Sequence, residues 1–386
     1  MTRSPRGNCC LPHESEVVRG AVAEIDLDAI AHNLGIVKAL TKDRPVIAVV
    51  KADAYGHGAA EVSRRLENEG IGLLAVAFID EGVKLRDAGI RSPIIVLFDK
   101  YDPAAFFEYR LIPVIHDLQT ARRLSEEARK RENPLDVHLK IDTGMGRLGF
   151  CDKGEIEQVM GISKMGYLNV RGLMSHFSDS DISDKSFALA QIRRFHEGRE
   201  LIMRGTGRPL LCHMANSAAT ISLPDAYFDA VRPGLMLYGY SPFGDKEALS
   251  SGSTLKTAMR VKAKILSVRK LQKGMPVSYG RTFITERESV VAVLSVGYAD
   301  GYSRHFSNAI DVIVKGKRVP VVGRVCMDLT MVDVTEIEEV EEGEEAVLLG
   351  AQGSQEVNAW EMAGKAATIP YEVLTVLGNR ARRVYV

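Results

Sequence analysis

The stretch Val46–Gly58, VIAVVKADAYGHG, decides the fold class of this chain. Its first half is an apolar run of strand length, which is the pattern of a parallel strand buried on both faces. Lys51 ends the run, and Gly56 and Gly58 shape a turn before the sequence becomes helical. Because α/β proteins bind ligands at the carboxyl ends of such strands, we expect Lys51 at a ligand-binding edge.

Two functions are open for Lys51. A lysine at a strand end often extends its amine into water and has no further function. Partial burial instead lowers the pKa of an amine from its usual ~10.4, and the neutral amine can form a Schiff base with a carbonyl group. Tyr55 and the two glycines nearby predict a backbone that approaches a ligand closely, for example a phosphate. These neighbours favour the second function.

The same alternation of strand and helix continues through the first two thirds of the chain. The predicted strands are Val46–Ala52, Ile71–Phe78, Pro93–Asp99, Leu111–His116, Val137–Asp142, Val170–His176, Leu211–Asn216 and Ala230–Tyr238. Eight strands alternating with helical segments favour an α/β fold of the (β/α)₈ TIM-barrel type. An open doubly wound sheet remains an alternative, although it would more often contain roughly five to seven strands.

The pattern changes near residue 254. Short, closely spaced runs rich in valine follow, which predicts a mostly-β C-terminal domain. The run Asp26-Leu27-Asp28 is expected to cap a first helix over Ala29–Leu40, and Asn358 a late helix within the β domain. We therefore divide the chain into a loose N-terminal leader (residues 1–20), a barrel (residues 21–254) and a β domain (residues 255–386).

Composition excludes several classes of protein. The 50 Lys and Arg residues balance the 50 Asp and Glu residues, so no basic field predicts nucleic-acid binding. No segment has the length and hydropathy of a membrane span, and residues 1–20 lack the apolar core of a secretory signal. The five cysteines are odd in number and scattered, which predicts a reducing compartment. We expect a cytoplasmic protein.

Polar residues collect at the predicted carboxyl ends of successive strands. These are Lys51, Asp142 with Arg147, His176, and Asn216 with Ser217, while Arg232 lies near the final strand. Each has an ordinary explanation as a core histidine, a surface ion pair or a helix cap. Their shared edge is difficult to explain in that way, because this edge is the catalytic face of a barrel.

The loop Gly144–Gly149 matches G-x-G-x-x-G and follows a strand, as in dinucleotide-binding proteins. The next predicted strand ends in Ser175-His176-Phe177 instead of the acidic residue that would bind a ribose, and Arg147 occupies the loop. We therefore reject an NAD site. No metal-ligand spacing and no nucleophile elbow is present in the sequence. A Schiff-base lysine beside phosphate-binding glycines describes a site for pyridoxal 5'-phosphate (PLP).

The motifs of this chain resemble those of the alanine racemase family. In the barrel they are VVKADAYGHG (Val49–Gly58), HLKIDTGMGRLGF (His138–Phe150), SHF (Ser175–Phe177), ANSAA (Ala215–Ala219) and VRPGLMLYG (Val231–Gly239). In the β domain they are SYGRTF (Ser278–Phe283), GYADG (Gly297–Gly301), GRVCMD (Gly323–Asp328) and IPYE (Ile369–Glu372). The resemblance extends from about Ala23 to the C-terminus and implies a PLP enzyme of fold type III.

The resemblance also implies a role for each matching residue. Lys51 would hold the cofactor and act as one catalytic base, with Tyr279 of the other subunit as the second. The cofactor would contact Tyr55, Arg147, His176, Asn216, Ser217, Arg232, Gly234, Leu235 and Tyr371, with Arg232 facing the pyridine nitrogen. The substrate pocket would include Arg147, Met327, Asp328 and Tyr298. Lys140 lies where many members of the family carry a carbamylated lysine.

The implied function is racemisation of L- and D-alanine by two bases in a head-to-tail homodimer with shared active sites, which would supply D-alanine for peptidoglycan. Two alternatives remain open: a racemase with broader specificity, for serine or lysine, and a fold type III PLP decarboxylase. Such decarboxylases usually present a glutamate to the ring nitrogen and lack the SYGRT tyrosine. Arg232 and Tyr279 therefore favour the racemase. We expect no metal, nucleic acid or membrane as a partner.

Overall fold

The computed structural model describes residues 20–162, 165–244 and 253–386, in which the chain forms two compact units. The barrel unit comprises residues 23–260, 368–379 and 383–386, and the β unit comprises residues 20–22, 261–367 and 380–382. The residues of the expected leader, apart from Gly20, lie outside the described part of the chain.

Seven parallel strands form the sheet of the barrel unit, and each pairs with the next strand in the sequence. After β1 (Val22–Ile25), these strands are β2 (Ile47–Val49), β3 (Leu73–Val76), β4 (Ile94–Val96), β5 (Leu111–Ile115), β6 (Leu135–Lys140), β7 (Leu168–Met174) and β8 (Leu211–His213). Most of their residues are buried, because helices cover the outer face and side chains fill the inner one.

An irregular segment closes the ring of strands. Ala230 bridges to His213 on β8, and Val231 bridges to Val46 beside β2, both in parallel. The predicted strand Ala230–Tyr238 was wrong beyond these bridges, because Pro233 lacks an N–H group and Leu235–Tyr238 forms a 3₁₀ helix. The predicted barrel with a mostly-β C-terminal region is otherwise confirmed.

Helices connect the strands of the barrel unit. They are Leu27–Thr41, Ala59–Asn68, Ile79–Asp87, Pro103–Glu108, Leu118–Lys130, Lys153–Ile162, Ser186–Thr206, Ser217–Ser222 and, near the C-terminus, Pro370–Arg380. The Asp26 carboxylate accepts a hydrogen bond from the Ala29 backbone N–H at 2.8 Å, which confirms the predicted cap. Among the described residues, no helix is both long enough and apolar enough to cross a bilayer.

Antiparallel strands, most of them short, make up the sheets of the β unit, and the C-terminal strand begins at the last residue of this unit, Arg382. With the C-terminal strand β18, they are β9 (Met259–Leu271), β10 (Pro276–Val277), β11 (Phe283–Ile284), β12 (Ser289–Leu294), β13 (Asp311–Val314), β14 (Lys317–Pro320), β15 (Thr330–Asp333), β16 (Glu345–Gln352), β17 (Gln355–Val357) and β18 (Arg382–Tyr385). Within the unit, β9 pairs with both β12 and β16. The helix Ala359–Ala366 begins after Asn358, whose side chain accepts the Glu361 N–H at 2.9 Å as predicted.

Candidate active site

Lys51 begins a turn of unusual backbone conformation directly after strand β2. The four residues that follow it, Ala52 to Tyr55, all have φ between +51° and +55°. Side chains disfavour this left-handed region by roughly 1–2 kcal/mol per residue, so neighbouring groups must stabilise the turn. Asp53 provides two such contacts, since its carboxylate accepts the Ala59 N–H at 2.7 Å and pairs with Arg383 at 2.6 Å.

Gly56 ends the turn where no larger residue fits. Its φ is +85°, and a Cβ at this position would lie 2.5 Å from the carbonyl oxygen of Leu374. The turn therefore packs directly against the C-terminal helix of the barrel unit. This explains why the sequence places glycine here, and it fixes the direction in which Lys51 leaves its strand.

A cavity of about 510 Å³ opens at the carboxyl ends of the barrel strands. It brings together the predicted barrel residues Lys51, Tyr55, Lys140, Arg147, His176, Asn216, Ser217, Arg232, Gly234, Leu235 and Tyr371. Tyr371 comes from the C-terminal helix Pro370–Arg380, which contributes to the barrel unit. The other predicted residues, Tyr279, Tyr298, Met327 and Asp328, belong to the β unit.

The cavity is strongly cationic. Its lining contains Lys51, Lys140, Arg147 and Arg232, and no carboxylate among the described residues. Burial, then the charge of Arg147, lowers the pKa of Lys51, while Glu81 opposes the shift. Burial, then Arg147 and Arg232, lowers the pKa of Lys140 to about 8. A cavity with this charge favours an anionic ligand, and it favours neutral amines on both lysines.

Phe98 is the aromatic centre of this charge cluster. The nitrogens of Lys51 and Lys140 lie 5.7 and 5.8 Å from its ring centroid, and the guanidinium carbon of Arg147 lies 5.4 Å away. The negative face of an aromatic ring attracts cations at such distances. Phe98 therefore stabilises the charge of Arg147 and, when they are protonated, the amines of Lys51 and Lys140.

Arg232 is held by carbonyl oxygens and imidazoles. Its guanidinium donates to the carbonyl oxygens of His213 and Ser175 at 2.7 and 2.6 Å, and to that of Met214 at 3.3 Å. It also contacts Nδ1 of His213 at 2.7 Å and Nδ1 of His176 at 3.3 Å. Burial lowers the pKa of Arg232 to about 9, so the group is still a cation at neutral pH.

The histidines beside Arg232 are neutral. A guanidinium has only donors, so each Nδ1 that it contacts accepts a hydrogen bond. Burial, followed by the charge of Arg232, lowers the pKa of both His176 and His213 well below the usual value. His213 therefore carries its proton on Nε2 and donates to His138 Nδ1 at 2.9 Å. The described contacts of Arg232 therefore include no carboxylate that could balance its positive charge.

The opposite side of the cavity has small groups and hydroxyls. The Ser217 oxygen accepts the backbone N–H groups of Gly234 and Met236 at 2.9 and 3.3 Å, which leaves its own proton free to donate to a ligand. A Cβ at Gly234 would lie 2.4 Å from the Tyr55 hydroxyl oxygen. Hydroxyl donors beside a bare backbone suit a phosphate group. The side chain of Asn216 instead caps the helix Ser217–Ser222.

The glycine loop Gly144–Gly149 surrounds a carboxylate of its own chain. The oxygens of Asp142 accept the backbone N–H groups of Gly144, Met145 and Arg147 at 2.7 to 2.9 Å. In a dinucleotide site, such N–H groups would instead face the pyrophosphate. The loop therefore positions Arg147 at the cavity, which supports the rejection of an NAD site.

Tyr279 lies on a second left-handed turn, within the β unit. Ser278, Gly280 and Arg281 have φ of +63°, +71° and +51°. The Ser278 hydroxyl donates to the Arg324 carbonyl oxygen at 2.6 Å and so ties the turn to the GRVCMD motif. The Tyr279 side chain is 70% exposed. Tyr298 and Met327 of the same unit are also exposed.

Sequence reasoning missed several residues of the site. Phe98, Met145, Met174, Ile369 and Thr375 line the cavity without having been predicted. Phe98 is the last residue but one of the predicted strand Pro93–Asp99, so its position near the strand end was the available signal. The others are apolar or small residues whose contribution depends on packing.

Outside the cavity, Cys151, Asp152 and Glu155 bring their side-chain ligand atoms within 4.8 Å of one another at the surface. These groups already serve the start of a helix, since the Cys151 and Glu155 N–H groups bond to Glu155 and Asp152 oxygens. The cluster is a local cap, and we assign no ligand to it.

A parallel barrel with a desolvated lysine and an anion pocket at its mouth defines a class of enzymes that bind carbonyl compounds through an amine. Two family models identify the branch. The model described as "Alanine racemase, N-terminal domain" matches residues 25–242, and the one for the C-terminal domain matches residues 258–385. The chain belongs to the alanine racemase family, which confirms the resemblance of its motifs.

Relatives match over nearly the whole length. An alanine racemase of Thermodesulfovibrio yellowstonii is 48% identical and covers 94% of this chain and 97% of its own. The structure of the Clostridium difficile alanine racemase is 33% identical, with a TM-score of 0.89 and coverage of 96% and 97%. A Bartonella henselae alanine racemase with covalently bound pyridoxal phosphate is 29% identical, with a TM-score of 0.84 and coverage of 95% and 99%.

Proposed function

We propose that this protein interconverts L-alanine and D-alanine with PLP held on Lys51. The proposal rests on the position of Lys51, whose amine has a lowered pKa and faces the cavity. Among the described residues, the other charged side chains that line this cavity are all cations. A neutral amine can bond to the aldehyde of the cofactor, and the cations match its phosphate and the substrate carboxylate.

The residues present fit the cofactor. Ser217, Tyr55, Tyr371 and the bare backbone at Gly234 would hold the phosphate, and Arg232 would face the ring nitrogen. When bound, PLP supplies an electron sink that makes the α-proton of an amino acid acidic. Because Arg232 carries only donors and stays charged, it cannot take a proton from the ring. Arg147 would bind near the phenolic oxygen and orient the substrate carboxylate.

Racemisation needs a proton carrier on each face of the substrate. Lys51 serves one face, and its lowered pKa provides the neutral amine that accepts the α-proton. Tyr279 of the partner subunit serves the opposite face. Support comes from the exposed position of Tyr279 on a left-handed turn that a hydrogen bond ties to the GRVCMD motif. Met327 and Asp328 of that motif, with Tyr298, would then complete the substrate pocket.

The arrangement implies a head-to-tail homodimer with shared active sites. The β unit exposes several large apolar side chains, namely Met275, Tyr279, Ile284, Tyr298, Met327 and Leu329. Groups of exposed apolar residues are typical of surfaces that bind a partner. Sedimentation equilibrium would test the dimer, and a Lys51→Ala chain mixed with a Tyr279→Phe chain would test sharing. Recovered activity in the mixture supports shared sites, whereas no recovery contradicts them.

Lys140 is proposed to be carbamylated. Its pKa of about 8 leaves a substantial neutral fraction near neutral pH, and only a neutral amine reacts with carbon dioxide. A carbamate would also place a negative charge among Arg147 and the other cations of the cavity. Mass spectrometry under non-denaturing conditions would show the added carbon dioxide, and an unmodified mass would contradict the proposal.

The biological role follows from the reaction. A cytoplasmic racemase of this kind supplies D-alanine for peptidoglycan, and the scattered, odd number of cysteines fits a reducing compartment.

One experiment tests the chemistry. The purified protein is expected to be yellow, to lose its visible absorbance on treatment with borohydride, and to racemise either alanine enantiomer to an equal mixture. Serine and lysine would be tested beside alanine to measure specificity. A colourless protein that binds no PLP, or one that releases carbon dioxide from amino acids without racemising them, would overturn the proposal.

A further inference from the structure

Glu81 lies beside the Lys51 turn and has no role so far. It is the third residue of the helix Ile79–Asp87, which follows strand β3. One carboxylate oxygen accepts the backbone N–H groups of Ala77 and Phe78, at 2.6 and 3.2 Å. The other accepts the N–H of Ala52 at 2.6 Å. One side chain therefore joins the end of β3 to the residue that follows Lys51.

The contact with Ala52 lies next to the backbone of Lys51 itself. The N–H of Ala52 belongs to the peptide bond that links it to Lys51, and Ala52 is the first of the four left-handed residues. A charged acceptor bound to a backbone N–H makes a short and strong hydrogen bond. Glu81 thus fixes the peptide plane from which the Lys51 side chain departs. An ordinary helix-capping glutamate would need only the contact with Phe78.

The charge of Glu81 also acts on Lys51. The charged and titratable groups facing the Lys51 amine are Arg147, Lys140, His176 and Glu81. Arg147 lowers the pKa of Lys51, and Glu81 is the carboxylate that raises it. Loss of this carboxylate would leave the amine exposed to the repulsion of its cationic neighbours alone.

We propose that Glu81 is a positioning residue for Lys51, which fixes the first peptide of the left-handed turn to the neighbouring strand and so aims the amine into the cavity. The inference rests on the proposed function, because it assigns Glu81 to the Lys51 side of the same reaction. In this role Glu81 acts through the backbone of the Lys51 turn and does not need to contact the substrate or the cofactor.

The test compares Glu81→Gln with a matched control, Glu67→Gln. Glu67 also joins separate segments of the barrel unit, since one oxygen accepts the N–H groups of Arg91 and Ser92 at 2.8 and 2.6 Å. It makes no contact with the Lys51 turn. The variant Glu81→Gln keeps one acceptor but turns an amide NH₂ toward a backbone N–H, so one of the two attachments is lost.

In the holoenzyme, Glu81→Gln is expected to lower kcat by about tenfold to a hundredfold, because a small misplacement of a catalytic group is costly. KM should change by less than about threefold. The acid limb of the pH profile of kcat should move to lower pH, since the pKa of Lys51 falls when Glu81 loses its charge. The dissociation constant of PLP, followed by visible absorbance, should rise.

The control Glu67→Gln keeps the one oxygen that accepts both N–H groups and loses only its charge, so its melting temperature should fall no more than that of Glu81→Gln. Its kcat, pH profile and PLP affinity should stay at wild-type values. If Glu81→Gln behaves like Glu67→Gln, the inference is wrong and Glu81 is only a structural cap. Failure of wild-type protein to bind PLP or racemise alanine would instead refute the proposed function.

A second variant, Glu81→Asp, separates the length of the side chain from its charge. It also provides the test if Glu81→Gln does not fold. Glu81→Asp keeps the charge but is one methylene shorter, so it cannot span both attachments. It should lower kcat while leaving the acid limb of the profile near its wild-type position. Wild-type kcat in Glu81→Asp would overturn the positioning role.

Discussion

Two left-handed turns carry the proposed catalytic residues, and they differ in their surroundings. The turn after Lys51 lies in the barrel unit, where Ala54 and Tyr55 are buried and cations surround the amine, although Ala52 is exposed. The turn around Tyr279 lies in the β unit, and its tyrosine is 70% exposed among other exposed apolar residues. Both hold non-glycine residues at positive φ, which neighbouring groups must stabilise.

The difference fits the proposal that one chain by itself positions only the lysine half of the chemistry. The Lys51 turn has its ion pair with Arg383, its packing against the C-terminal helix and its cavity, all within the barrel unit. Tyr279 lies on a left-handed turn without a comparable cover on its side chain. We infer that the lysine is positioned by its own chain, whereas the tyrosine is positioned to meet another one.

Removing the amine should have the largest effect. Lys51→Arg keeps the positive charge but not a neutral amine, so racemisation should fall by about 10⁴-fold or more, together with loss of the visible absorbance of bound PLP. Lys84→Arg, at an exposed lysine paired with Asp80, is the control and should keep full activity. Activity of Lys51→Arg near the wild-type level would show that another residue holds the cofactor.

Removing the tyrosine hydroxyl should have the next largest effect. Tyr279→Phe should lower kcat by about 10² to 10⁴-fold, the usual contribution of one acid–base group. The melting temperature should barely change, because the side chain is exposed. Tyr101→Phe, at a tyrosine of the barrel unit that is 78% exposed, is the matched control and should leave kcat unchanged. Equal effects of both variants would remove Tyr279 from the mechanism.

The stability of the folded protein should also depend on pH, because a buried histidine follows the Lys51 turn. Burial lowers the pKa of His57, which follows the Lys51 turn, to about 4. The unfolded chain binds a proton near pH 6.5 that the folded chain takes up only near pH 4. The free energy of unfolding should therefore fall by about 3 kcal/mol per such histidine as the pH drops through this window.

Substitution would assign this loss to His57. Its Nδ1 lies 3.0 and 3.1 Å from the carbonyl oxygens of Ala54 and Tyr55, and an asparagine amide can donate from a similar position. His57→Asn should lose less stability than wild type between pH 6.5 and 4, as measured by urea unfolding. The exposed His305→Asn should follow the wild-type curve. Identical slopes for all three proteins would contradict the expected titration of His57.

The smallest effect is expected at the phosphate end of the cavity. Gly234→Ala would place a Cβ 2.4 Å from the Tyr55 hydroxyl oxygen, so Tyr55 must move and PLP should bind about tenfold more weakly. Gly35→Ala is the control, because that helical glycine has no heavy atom within 4 Å of the added Cβ. Unchanged PLP affinity in Gly234→Ala would argue against a phosphate at this position.

The sequence predicted the barrel site well and its supporting contacts poorly. Residues such as His176 and Arg232 could be located because they follow apolar runs, and strand ends meet at one face of a barrel. Phe98 and Glu81 gave little signal, because their contribution depends on which segments lie beside them. The prediction of the eighth strand, Ala230–Tyr238, was wrong for a related reason. Its pairing is limited to two bridges, and an apolar run alone does not distinguish a strand from a 3₁₀ helix.

The sequence by itself determined the fold class, the family and the identity of the lysine, since these depend on the order of apolar runs and on motifs that are local in the chain. Only the tertiary structure decided the charge of the cavity, the neutral state of its histidines and the left-handed path after Lys51. These properties depend on burial and on contacts between residues far apart in sequence, such as Arg383 with Asp53 and Glu81 with Ala52.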